Sequence, residues 1–348
     1  MKKKKIATIG HFAIGTNLLN GQTIKTKIVT GELARQFGKE EIIQIDTHGG
    51  KIGTLIKAPF QVLKALKNAR NVIIFPAQNG LRVFAPLLCF FNRFFKRKLF
   101  YVVIGGWLPE LLGKKPGLGK KLETFSGIYV ETDSMKQTLE KQGFSNVELL
   151  PNCKQINICD ASEIVFDPRE PHRLCTFSRV MKEKGIEDAV KAVRQVNQAN
   201  GRTVYTLDIY GQIDAKQTEW FATLQKDFPE FIRYRGEIPF EKSVETLKPY
   251  FLLLFPTYYE GEGFAGTLID AMAAGLPVIA SDWKYNSEIV TPQTGWLFEA
   301  RRIDELVSLL ETLKETDLSQ LKIHCIEKAK DYLPENVLKK LTESIENE

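Results

Sequence analysis

Apolar positions in this chain come in short, nearly unbroken runs, separated by longer stretches with helical spacing. KIATIG, EIIQIDT, NVIIFPA, LFYVVIGG, GIYVET and VELLPN fall within the first 152 residues. Runs this apolar read as strands buried on both faces. Amphipathic helices, among them 23–37, 57–68 and 134–142, lie between most of them. That alternation implies βαβ units and a parallel sheet covered on both sides. The pattern weakens from about 153 to 172, within PNCKQINICDASEIVFDPREPH, where a linker is expected. A second series follows, with RLCTFS, TVYTLDIYG, FIRYRG, FLLLFP and PVIAS as strands. Helices near 185–199, 214–226, 241–248 and 265–274 connect them, and helices near 301–315, 317–331 and 335–346 close the chain. The pattern predicts two doubly wound α/β domains, 1–160 and 161–332, with an interdomain cleft, followed by a C-terminal helix, 333–348. Open α/β sheets bind ligands beyond the carboxyl ends of their strands.

Composition adds one thing to this picture. Hydrophobic content of 43% and charged content of 26% are ordinary for a globular chain of 348 residues. No run of 18 apolar residues predicts a membrane span, and MKKKKIATIG lacks the apolar stretch of a signal peptide. The odd number of cysteines, five, without C-x-x-C spacing, points to a reducing compartment and away from structural zinc. The net charge of +6 is unevenly spread: residues 1–157 hold 25 Lys and Arg against 10 Asp and Glu, and residues 158–348 hold 23 against 32. Residues 51–100 contain ten basic residues and no acid. The first half is expected to face an anionic surface. No nucleic-acid-binding motif accompanies the charge, which favours phospholipid or a phosphorylated acceptor.

The stretch APLLCFFNRFFKRKLFY (85–101) interleaves rings and cations: Phe90, Phe91, Phe94 and Phe95 with Arg93, Lys96, Arg97 and Lys98. An apolar helix with a basic rim lies on an anionic membrane. The same pattern also suits a helix that buries its rings against a sheet. Peripheral membrane contact is the preferred reading, and the basic loop GKKPGLGKK (113–121) adds to it.

Candidate chemistry concentrates after the strand FLLLFP, in YYEGEGFAGTLIDAMAAGLPV (258–278). Three acids, Glu260, Glu262 and Asp270, interrupt small and apolar residues there. Thr267 and Asp270 have the spacing of a capping box, and Gly275 with Pro277 reads as a helix stop. Asp270 can therefore be a cap or a ligand group. Glycines beside a helix start allow an anion to approach backbone N–H groups.

This segment resembles the signature of retaining glycosyltransferase family 4, which has the GT-B fold. TFSRVMKEKGIEDAV resembles that family's G-R-L-x-x-x-K-G segment, with Arg179 and Lys184 five apart and Gly185 following. DIYGQID around Gly211, YRGEIPFEK and, more loosely, NGQTIKT extend the match. Only Glu262 and Asp270 are in register with the family's paired acids, the second of which is normally Glu. The resemblance implies sugar transfer from a nucleoside-diphosphate donor, UDP-type, with retained configuration. Arg179 and Lys184 would stabilise the leaving diphosphate, Glu262 would face the donor sugar, and Asp270 would accept hydrogen bonds from ribose. Ser178, Gly21, Gly211, Gly263, Phe264, Ala265, Gly266 and Thr267 complete the implied donor contacts. Cations and backbone dipoles do the work of a metal, and the chain has no D-x-D motif, so no metal or cofactor is expected.

A family histidine near the donor sugar is missing, because VIGGWLPEL puts Gly105, Gly106 and Trp107 in its place. His11 follows the first strand and is either a substitute or a structural group; Gly106 and Trp107 are weak candidates for the acceptor or sugar. The first strand leads into GHFAIGTNLL and not G-x-G-x-x-G, which argues against a dinucleotide oxidoreductase. The expectation is a cytoplasmic enzyme, peripheral at the inner membrane face, that extends a lipid-linked glycan in bacterial surface polysaccharide assembly. Its rivals are a nucleotide-sugar epimerase of the same fold and a catalytically silent partner of a true transferase.

Overall fold

The structure is a computed structural model that describes residues 3–15, 21–49, 51–164 and 169–347. It divides into two compact units, Met1–Gln155 with Tyr332–Glu348, and Ile156–Asp331. Asn20 of the NGQTIKT stretch and part of the expected linker lie outside the described residues.

The first unit is built on strands β1 (Lys4–Gly10), β2 (Ile42–Asp46), β3 (Ala69–Ile74), β4 (Lys98–Val102), β5 (Gly127–Val130) and β6 (Val147–Leu149). All pair in parallel, in the order β2-β1-β3-β4-β5-β6. Helices α1 (Gly21–Phe37), α2 (Lys51–Asn68), α3 (Gln78–Phe95), α4 (Leu108–Lys114), α5 (Pro116–Leu122) and α6 (Asp133–Lys141) make the crossovers. The runs that read as doubly buried are so: Val72, Ile73, Ile74, Phe100, Tyr101 and Val102 are all at or near zero exposure.

The second unit has β7 (His172–Phe177), β8 (Tyr205–Tyr210), β9 (Ile232–Gly236), β10 (Leu252–Phe255), β11 (Val278–Asp282) and β12 (Gly295–Glu299). The order is β12-β11-β10-β7-β8-β9, again all parallel. Its helices are α7 (Ile186–Ala199), α8 (Thr218–Lys226), α9 (Ser243–Leu247), α10 (Gly266–Ala273), α11 (Asn286–Ile289), α12 (Ile303–Leu313) and α13 (Ser319–Lys330). The chain then returns: α14 (Pro334–Val337) and α15 (Lys339–Glu346) belong to the first unit, where Leu338, Leu341 and Ile345 join a cluster with Ile6, Val29 and Phe75.

Each sheet reverses its winding once, between β1 and β3 in the first unit and between β7 and β10 in the second. At such a switch point neighbouring strands send their connections to opposite faces, which leaves a crevice at their carboxyl ends. The segments after β7 and β10 therefore adjoin.

Three expectations change. GWLFE forms a sixth strand, β12, which the pattern left out; Trp296 and Leu297 on this edge strand are only half-buried, so its apolar run is short. GKKPGLGKK is not a loop but contributes to α4 and α5, helices of seven residues that open with proline in their first turn. The ring-rich stretch 85–101 is not one element: α3 ends at Phe95, Lys96 takes a left-handed φ of 52°, and Lys98 starts β4. Among the described residues, no helix is long and apolar enough to cross a membrane.

Candidate active site

The most constrained polar group at the second unit's switch point is an ion pair. Lys184 Nζ donates to Glu262 Oε2 at 2.6 Å, and the Thr257 hydroxyl donates to the same oxygen at 2.8 Å. Lys184 follows β7 and Glu262 follows β10, so the sheet order, not the sequence, brings them together. Glu262 is 7% exposed, and the side chain of Lys184 is 13% exposed. Charges this sheltered need partners, and here each supplies the other's. The Lys184 ammonium also lies 5.4 Å from the Phe255 ring centroid and 5.3 Å from that of Tyr259. Among the described residues, both bonds to Glu262 fall on Oε2, and Oε1 accepts none.

Backbone geometry holds this pair. Gly185 has φ 71°, and a Cβ there would sit 2.0 Å from the Pro256 carbonyl oxygen. Only glycine lets the segment after β7 approach the end of β10 so closely. Tyr258 N–H completes the junction by donating to the Glu183 carbonyl at 2.8 Å. Gly211 plays a similar part on the other side: its Cβ would meet the Ser178 carbonyl oxygen at 1.9 Å. Ser178 in turn donates its N–H to Tyr210 at 3.2 Å.

Helix α10 enters the same region. Its N-cap is Ala265, with no side-chain cap. The Thr267 hydroxyl donates instead to the Phe177 carbonyl at 2.6 Å, pinning the helix start to the end of β7. The capping box expected from Thr267 and Asp270 is thus absent. Asp270 lies a full turn inside the helix, where no side chain reaches the first N–H groups. It is 1% exposed, and its Oδ1 accepts from the buried Ser243 hydroxyl at 2.9 Å, tying α10 to α9. Gly263, Phe264 and Ala265 link Glu262 to the helix, whose first residue is Gly266. The positive end of the α10 dipole therefore lies at the end of β7, next to Ser178.

Other expected residues go elsewhere. Arg179 is half-exposed and pairs with Asp214 at 3.3 Å, not with Glu262. Glu260, the acid out of register with the family's pair, is exposed and pairs with Lys284 at 2.7 Å. Thr257 was not legible as a site residue; its signal is a fully buried hydroxyl directly after the proline that ends β10.

His11, Gly21, Gly106 and Trp107 belong to the first unit. His11 Nδ1 is 2.8 Å from the Thr23 hydroxyl, and its Nε2 is 3.1 Å from His48 Nδ1, with the rings edge to face. Burial, and then His48, push the His11 pKa below its ordinary value. The loop after β1 is organised by Asp46, which accepts from the N–H groups of Phe12, Ile14 and His48 at 3.0, 2.9 and 2.9 Å. Burial pushes the Asp46 carboxyl up, but these donors together outweigh it and hold it below the usual range. Gly21 is the first residue of α1. Trp107 Nε1 donates to the Ile104 carbonyl at 2.8 Å. The same unit holds a second buried pair, Lys25 with Glu131 at 2.6 Å, and Glu131 also accepts from Gly105 N–H at 3.2 Å. Neither was expected, because Lys25 sits on a helix face that also buries Thr23, Thr26, Thr30 and Glu32.

Residues 161–332, nearly the whole second unit, match the family model described as glycosyl transferases group 1. The chain is 25% identical over 223 residues to the UDP-N-acetylglucosamine–peptide N-acetylglucosaminyltransferase GtfA subunit of Streptococcus gordonii, a match covering 60% of this chain and 42% of that one. It is 27% identical over 166 residues to the amylovoran biosynthesis glycosyltransferase AmsK of Erwinia amylovora, covering 46% and 40%. The matches thus span less than half the length of either relative. Anabaena HepE, solved in complex with UDP-glucose, superposes with a TM-score of 0.70 at 13% identity, over 98% of each chain. That identity speaks for the fold alone: the chain has the GT-B fold, and its second unit matches the glycosyl transferases group 1 model.

Proposed function

We propose that this protein is a retaining glycosyltransferase that moves a sugar from a UDP-type nucleoside-diphosphate donor to a lipid-linked glycan, in the assembly of a bacterial surface polysaccharide. The observation that carries the reading is the Lys184–Glu262 pair at the switch point, beside the N-terminus of α10. In such a transfer, negative charge builds on the leaving diphosphate. Lys184 has three donors and spends one on Glu262, so two remain for phosphate oxygens. The α10 N-terminus adds fixed dipoles, and Arg179 reaches the diphosphate by exchanging Asp214 for it. These groups carry the developing charge without a divalent metal.

Glu262 presents Oε1 to the hydroxyls of the donor sugar while Lys184 and Thr257 fix its orientation. A carboxylate fixed by two donors on one oxygen is an oriented acceptor for the other. Retention then proceeds by front-face substitution, with the diphosphate leaving on the face the acceptor attacks. Asp270 meets ribose only by sharing its carboxylate with Ser243. Ser178, Gly211 and residues 263–267 offer backbone contacts to the diphosphate. The first unit takes the acceptor, with His11, Gly106 and Trp107 as its polar and aromatic contacts. Its excess of basic residues suits a site of action at the inner face of a cell membrane.

The names of relatives in peptide and polysaccharide glycosylation are consistent with this reading. A panel of nucleotide sugars tested by thermal shift, with product analysis of the best binder, tests it. The expected outcome is stabilisation by UDP sugars and a glycosylated, lipid-linked product of retained configuration. Conversion of the nucleotide sugar to its epimer without any acceptor would overturn it. So would donor binding with neither transfer nor hydrolysis.

A further inference from the structure

Six large apolar side chains stand out as exposed among the described residues: Ile14, Leu55, Ile56, Phe60, Phe90 and Phe94. Five of the six lie on two helices, α2 and α3, which pack against each other. Ile56 and Phe60 are four residues apart on α2, and Phe90 and Phe94 four apart on α3, so each pair makes an outward stripe on its helix. Phe94 is 77% exposed. Burying apolar rings is favourable, and nothing among the described residues of the first unit covers these.

The surroundings of the stripes say what covers them. Lys57, Lys64 and Lys67 on α2 and Arg82 and Arg93 on α3 are exposed. No acid occurs between Asp46 and Glu110. At the carboxyl end of α3 the surface opens into a pocket of about 650 Å³, lined by Lys3, Lys5, Arg70, Lys96, Arg97 and Lys98 against Glu41 and Glu346. Lys96 is two residues past Phe94, which joins the pocket to the apolar stripe. Two of the cations expected to face a membrane point inward: Arg97 Nε donates to the Leu66 carbonyl at 3.0 Å, and Lys98 Nζ to the Asn347 carbonyl. They shape the pocket floor, and Lys3 and Lys96 stay exposed at its edge. Protein interfaces are poor in lysine, whereas a bilayer of anionic lipid matches rings bordered by lysine.

We propose that the α2–α3 face is a docking surface for an anionic bilayer. Ile56, Phe60, Phe90 and Phe94 enter the interface below the head groups, and the basic pocket takes a lipid phosphate. The proposal rests on the reading of a lipid-linked acceptor, for which it supplies the surface, and it adds α2 and the pocket to a contact that α3 alone had suggested.

The test is co-sedimentation of the full chain with phosphatidylcholine vesicles, with and without phosphatidylglycerol. The chain is expected to pellet only with the anionic vesicles, and less at high salt. A Phe60→Ser/Phe90→Ser/Phe94→Ser variant should bind at least about tenfold more weakly, since each buried ring is worth more than that factor. Lys3→Glu/Lys96→Glu should lose about tenfold or more through the head groups. Unchanged melting curves and unchanged UDP-induced thermal shifts establish that both variants are folded. Wild-type chain remaining in the supernatant overturns the proposal, as does equal binding by the serine variant. So does a wild-type dimer in sedimentation velocity that the serine variant dissolves, which would make this face a protein interface. Transfer to a detergent-solubilised lipid-linked acceptor is read separately: its absence in wild type counts against the transferase reading, and vesicle binding without it leaves the docking surface standing.

Discussion

Replacing Gly185 by alanine should disable the candidate site without touching either of its charged groups. The added Cβ would lie 2.0 Å from the Pro256 carbonyl oxygen, against the 3.4 Å at which ordinary contact begins. The segment carrying Lys184 must therefore retreat from the end of β10 by roughly 1.4 Å, the difference between those distances. A left-handed φ costs a non-glycine residue about 1–2 kcal/mol, and forcing atoms into a packed junction typically costs about 1–3 more. A loss near 3 kcal/mol lowers the melting temperature by roughly 6–12 °C for a unit of this size. The larger effect is on turnover. A displacement of about 1 Å at a positioned group costs about a hundredfold in rate, so kcat should fall about that far at temperatures where the variant is folded.

Gly201→Ala is the matched control. Gly201 has φ 62° but meets nothing within 4 Å. It should lose only the backbone cost of about 1–2 kcal/mol and retain full activity. Melting curves by circular dichroism and steady-state donor turnover read both quantities. If Gly185→Ala turned over donor as fast as Gly201→Ala, the claim that this close approach sets the Lys184–Glu262 geometry would be wrong.

Three further outcomes follow from the same contacts. Asp270→Ala should unpair the buried Ser243 hydroxyl and cost about 1–3 kcal/mol in urea melts. A donor KM raised tenfold or more alongside would assign Asp270 to ribose as well, and an unchanged KM would leave it purely structural. Lys25→Met leaves the buried Glu131 carboxylate without its cation and should cost about 3–5 kcal/mol, much of it regained by adding Glu131→Leu; equal losses in single and double variants would refute the pairing. The third concerns pH. The His11 pKa is lower folded than its ordinary 6.5, so the folded state holds fewer protons below that pH. Its contribution to stability is complete above pH 6.5 and is lost as pH falls toward the folded value. The melting temperature should decline over that interval in wild type and less in His11→Gln; parallel curves would contradict it.

The fold was legible because its strands are doubly buried. Runs such as FLLLFP and NVIIFPA announce parallel strands whatever their neighbours do. The edge strand β12 and the proline-led helices α4 and α5 did not announce themselves, since short elements with half-buried residues carry little periodicity. Candidate site residues were nominated one at a time, through the resemblance of their segments to a family signature. Their pairing was not legible. Lys184 and Glu262 are 78 residues apart, and only the strand order at the switch point joins them. Thr257 and Ser243 were invisible for a related reason: a hydroxyl gains a role only when a distant carboxylate is delivered to it. The capping-box spacing at Thr267 and Asp270 misled because helix α10 starts one residue before Thr267, whose hydroxyl serves β7 instead.

The most direct measurement of the central claim is donor turnover by Glu262→Gln and Lys184→Met, with UDP affinity and melting temperature followed alongside. Glu262→Gln keeps the shape and the Thr257 contact but removes the charge. The account predicts sugar transfer reduced by at least about a hundredfold in each variant, a drop of roughly 2.7 kcal/mol or more in transition-state stabilisation. UDP binding should weaken in Lys184→Met and persist in Glu262→Gln, with both proteins folded at the assay temperature. Near-normal turnover in either folded variant would contradict it.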